Sequence, residues 1–122
     1  MSLGVRILIV LASLSGLLGV GLSAVARLPP VTWAAAAAQF LLFHAPALLA
    51  LVALIAVGAV SPMLGQVAGY MLVLGLALFC GDLSRRAFSG VALFPRAAPS
   101  GGILLMLGWL LVGISAVLRL RA

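Results

Sequence analysis

The sequence predicts an all-α integral membrane protein, a bundle of four transmembrane helices forming one domain over residues 1–122. Three observations carry this. Hydrophobic residues fill 66% of the chain and charged residues 7%, against about 25% charged in a soluble domain. Mean hydropathy is +1.44. Four apolar runs, each near the roughly 20 residues that cross about 30 Å of hydrocarbon, are separated by segments rich in Pro, Gly and Arg. Helix is the form required, because lipid cannot satisfy backbone polar groups. The polar alternation of a β-barrel is absent from the runs.

The first span is expected over about 7–26, behind Arg6. It begins like a signal peptide, and "SAVA" offers a small-residue cleavage site. The stretch is long enough to span, so an uncleaved helix is expected. "RLPP" (27–30) breaks the chain after it.

The second span lies within Trp33 to Val60, which as one helix would be about 42 Å long. "WAAAAAQ" is therefore read as an interfacial lead-in, with Trp33 at headgroup level and the span itself at about 37–60. This puts His44 about one turn inside the membrane. "SPMLG" (61–65) is a tight turn with Pro62 near the start of the third span, about 66–83. The one long loop follows, and the fourth span covers about 102–118.

Lipid gives helices no hydrophobic reason to associate, so small residues must allow close contact. Ser15, Gly19 and Ser23 form such a face on the first span. Gly65, Gly69 and Gly81 serve the third, Gly108 and Gly113 the fourth. These faces suit a bundle, or contact with another protein's helices.

Charge is almost wholly basic: seven arginines and one acid give a net +6. The arginines stand singly or in pairs beside apolar runs, without interleaved aromatics. That excludes a nucleic-acid surface and suits anchoring at lipid phosphates. Asp82 shares a helical face with Arg85 and Arg86, three and four residues on, and is read as an interfacial ion pair ending the third span. The lone Cys80 is read as a small packed hydrophobe.

His44 is the only histidine. Pro46 cannot donate to the Leu42 carbonyl, which leaves that oxygen free near the imidazole. A metal site needs several ligands, and this chain offers neither a second His nor any Glu. A structural hydrogen bond between helices is the expected role. A quinone, lipid or shared cofactor contact is the sharper alternative. The chain has no nucleophile, base and oxyanion constellation and no phosphate loop. Its first span lacks the carboxylate with which a small multidrug transporter trades protons.

Three segments together resemble the bacterial inner-membrane family called domain of unknown function 423, which has mitochondrial relatives. "SLSGLLGVGLSAVA" resembles its opening helix with "LGAFGAH". "QFLLFHAPALL" is similar to "RYQxYHALALL". "LALFCGDLSRR" with the later "APSGGILLMLGWLLVGISA" resembles "LFSGSLYxL" and "TPxGGxxFxxGWxxL". By position, His44 matches the family's second-helix histidine, and Phe40 and Phe43 stand where it has tyrosines. Gly81 matches its "SG" glycine, Gly101 and Gly102 its double glycine, and Trp109 its "GW". The histidine of "GAFGAH" falls near Ala24 and is missing here. Asp82 replaces a serine, and Ser84 a tyrosine.

The resemblance implies four transmembrane helices in a bacterial inner membrane, with no established activity. The arginine count is three on the side of the termini against four on the other. The resemblance tips this tie toward cytoplasmic termini. The expected function is a non-catalytic accessory subunit packed against other integral membrane subunits, respiratory or photosynthetic ones among them. It would bind membrane lipids, no nucleic acid and no cofactor of its own, with quinone or haem only if shared. The alternative is an independent small transporter or a lipid- or quinone-interacting protein.

Overall fold

A computed structural model of the chain describes residues 2–25, 32–91 and 96–119. The expectations placed on "RLPP" (27–30) and on residue 26 as the end of the first span lie outside them. Four α-helices carry the described residues: α1 (Leu3–Val25), α2 (Thr32–Ala56), α3 (Pro62–Ser89) and α4 (Ala97–Arg119). Each is long and apolar enough to cross a membrane. This is a multi-pass membrane protein.

In α1, Val5, Leu8, Ala12, Ser15 and Gly19 are buried. Their alternating spacing of three and four is the narrow stripe by which one helix seats on another. Leu3, Val10, Leu14, Leu17 and Leu18 are exposed on its remaining surface. Water would not tolerate so much bare leucine and valine; lipid does.

α1 lies along α2, α2 against α3, and α3 along α4. α2 buries a fuller set: Ala34, Ala37, Ala38, Leu41, His44, Ala45, Leu48, Leu51 and Val52. The central layer of Leu41, Leu48, Leu51, Leu72, Leu76, Leu83 and Leu105 joins α2, α3 and α4.

All four helices start before their expected first residues, α3 and α4 also run past their expected ends, and α1 and α2 stop short of theirs. α1 begins at Leu3, where the Ser2 hydroxyl accepts the Val5 N–H at 3.3 Å, as an N-terminal cap does. α2 begins five residues before 37, because the alanines of "WAAAAAQ" are core, not lead-in: Ala34 and Ala37 are fully buried. It ends at Ala56 rather than 60, since Gly58 turns left-handed (φ 78°) and closes it. α3 starts at Pro62, whose fixed φ suits the first helical position. It runs six residues past Leu83 to a left-handed Gly90, whose N–H bonds the Arg86 carbonyl. α4 starts at Ala97, five residues before 102, behind a left-handed Arg96 (φ 66°). Hydropathy marks where hydrocarbon is crossed; α3 and α4 continue into small and charged residues at both ends.

Closest approach comes through glycine. A Cβ on Gly75 would stand 2.8 Å from the Gly101 carbonyl oxygen, and one on Gly101 2.6 Å from the Phe79 nitrogen. α3 and α4 therefore meet backbone to backbone. Gly19 seats on Leu41 and Leu42, Gly65 on Ile55, Gly69 on Leu8, and Gly108 on Leu72. Gly113 takes no part in packing within the bundle: it is exposed, with open space where a Cβ would go. Ser23 and Gly81 are only partly buried, and Gly81 borders a cleft rather than a tight crossing.

Candidate functional site

Polar side chains inside an apolar bundle are the natural place to look for chemistry. His44 is nearly buried, at 5% exposure. It stands twelve residues into α2, about 18 Å along the axis, at the middle of the helix. "WAAAAAQ" is part of the same helix, so His44 stands well beyond the helix start.

The Nδ1 of His44 lies 2.8 Å from the Phe40 carbonyl oxygen, one turn back. Its Nε2 accepts the indole N–H of Trp109 in α4 at 3.1 Å. Indole nitrogen only donates, so Nε2 carries no hydrogen in this bond. Nδ1 then carries it and donates to Phe40. The carbonyl freed by Pro46, that of Leu42, is not the partner. Helical side chains lean toward the N-terminus, and the imidazole reaches the carbonyl four residues back.

Three aromatic rings gather around His44. Phe40 stacks on His44 with centroids 6.1 Å apart, and Phe79 of α3 tilts against Phe40 at 4.5 Å. Trp109 tilts over His44 at 5.7 Å. Trp109 is itself 48% exposed, so one part of the indole meets lipid while its N–H turns inward. Phe43, grouped with Phe40 by the sequence, points outward at 64% exposure.

The second focus is Asp82. It is fully buried, rather than interfacial in the sense of facing water. Arg86 donates from Nε to its Oδ2 at 3.1 Å, and the Arg86 guanidinium stands 5.8 Å from the Trp33 ring centroid, within cation–π range. Arg85 is exposed. The pair thus ties α3 to the start of α2.

Other polar groups close on the backbone. Tyr70 donates to the Gly4 carbonyl at 2.6 Å, joining α3 to α1. The Cys80 thiol lies 3.4 Å from the Ala37 carbonyl. Ser13, Ser15, Ser89 and Ser115 each bond a carbonyl of their own helix, as hydroxyls in membrane helices do. Among the described residues, no buried side-chain nitrogen or oxygen lacks a partner. None of the described His, Cys, Asp and Glu gather in threes to hold a metal.

Sequence reasoning reached His44, Phe40, Asp82 and Arg86. It missed that Trp109 is the partner of His44, and it missed Gly75 and the Tyr70–Gly4 bond. The signal for the first was present: an indole in a membrane helix needs an acceptor for its N–H.

A family model described as "Protein of unknown function (DUF423)" matches residues 17–102, more than half of the chain. The chain belongs to this family. No solved structure matches it. The DUF423 match spans α1 from Leu17, all of α2 and α3, and α4 as far as Gly102. It holds Phe40, His44, Gly81 and the Gly101–Gly102 pair. Gly108 and Trp109 fall beyond it. Within DUF423, then, the histidine lies in the matched segment and its indole partner outside it.

Proposed function

We propose that this DUF423 protein is a non-catalytic accessory subunit that packs against other integral membrane proteins in a larger complex. Respiratory and photosynthetic complexes are the first places to look. It resides in a bacterial inner membrane with both termini in the cytoplasm. It holds no cofactor of its own; a quinone or haem would be shared with another subunit.

One observation carries this reading: the chain's reactive side chains are turned on each other. His44 engages the Phe40 carbonyl and Trp109, and Asp82 engages Arg86. What faces outward is apolar surface, including Leu17, Leu18, Met106, Leu110 and Val117. The independent-transporter reading asks for a cavity reaching His44 and Asp82, and neither residue lines the clefts found on the bundle.

Gentle solubilisation followed by mass spectrometry of co-purifying proteins tests the proposal. A partner at fixed stoichiometry is expected. A chain that elutes alone or only with copies of itself would overturn it.

A further inference from the structure

α1 and α3 touch only briefly. Between them runs an open cleft of about 650 Å³, floored by Leu41 of α2. Leu17 and Leu22 form one wall, Leu76, Gly81 and Phe88 the other. Its lining is apolar apart from the Ser84 hydroxyl and the Cys80 thiol. Along α3 it extends from Leu76 to Phe88, about 18 Å of helix rise. Half of a 30 Å hydrocarbon core is about 15 Å, so the cleft is about one leaflet long.

A cation stands beside it. Arg85 is not among the lining residues, but it follows the cleft residue Ser84, four residues after Gly81 and three before Phe88, which puts it at the edge of that helical face. It is exposed. Among the described residues its guanidinium has no ion-pair partner, whereas Arg86 is held by Asp82. Arginine presents a fork of donors that matches phosphate oxygens.

We propose that the α1–α3 cleft is a binding site for one anionic phospholipid, an acyl chain lying along Gly81 and the phosphate on Arg85. A leaflet-long apolar slot flanked by an exposed arginine without an ion-pair partner among the described residues complements that molecule in length, polarity and charge. The site stands whether or not the protein is an accessory subunit.

Native mass spectrometry of the detergent-solubilised full chain tests it, with phosphatidylglycerol and phosphatidylcholine of matched acyl chains supplied equally. One phosphatidylglycerol per chain should be retained in preference to phosphatidylcholine. Arg85→Gln should lower that retention about five-fold, the worth of one arginine near an anionic surface. Gly81→Leu should lower it by filling the cleft, while Arg6→Gln, at the other end of the bundle, should leave it unchanged. Equal retention of the two lipids by the unaltered chain would overturn the proposal, and needs no variant to fold. So would phosphatidylglycerol retention that survives both Arg85→Gln and Gly81→Leu.

Discussion

Trp109 donates its indole N–H to His44 across 65 positions of sequence, at 3.1 Å. The bond fixes more than a contact. It requires the imidazole to be neutral, with its hydrogen on Nδ1, because two N–H groups cannot face each other. Nitrogen NMR of the histidine-labelled protein should therefore show a single neutral Nδ1–H form. Trp109→Phe should move the Nε2 resonance as that nitrogen loses its donor, while the hydrogen stays on Nδ1, still held by the Phe40 carbonyl.

The glycines divide into those that touch backbone and those that touch nothing. Gly75→Ala and Gly101→Ala each place a Cβ under 3 Å from backbone atoms of the facing helix. Each should cost about 1–3 kcal/mol, the usual penalty of overpacking, read as a lowered midpoint in detergent unfolding. Gly113→Ala meets open space inside α4 and should raise stability by about 0.4–1 kcal/mol, as Gly→Ala does in an unstrained helix.

Asp82 is fully buried while Arg86 is 37% exposed. Asp82→Asn weakens the bonds on a buried acceptor and should cost about 1–3 kcal/mol. Because the carboxylate is out of water, the loss should persist at high salt, where surface pairs are screened. The comparison is the unfolding midpoint of both proteins at low and high salt. Arg85→Gln, on an exposed side chain, should leave that midpoint in place.

Helix order places Ser2 and Ala59 at one end of the bundle and Val91 at the other. In a Cys80→Ser background, single cysteines at these positions report the sides. With cytoplasmic termini, an impermeant thiol reagent added to intact cells should label Val91→Cys and spare Ser2→Cys and Ala59→Cys. The reverse pattern would invert the proposed orientation.

The four helices were legible because hydropathy and helix length are one constraint in a membrane. Their ends were not, because backbone and not hydropathy sets them: left-handed Gly58 stops α2 inside its apolar run, while α3 continues beyond its own until left-handed Gly90. Small-residue faces pointed correctly to Gly19, Gly65, Gly69 and Gly108, which seat on named side chains. Spacing alone could not tell that Gly113 meets no helix of this bundle, since a glycine in sequence does not say whether another helix crosses there. His44 and Trp109 were each visible as motif residues. Their pairing depends on how α2 and α4 pack, which neither segment encodes by itself.

The account turns on His44 holding helices together rather than serving a reaction. A double-mutant cycle of His44→Leu and Trp109→Phe, read by detergent unfolding, measures this directly. The predicted coupling is about 0.5–1.5 kcal/mol, in the range of hydrogen bonds between membrane helices. Strict additivity of the two losses would contradict it.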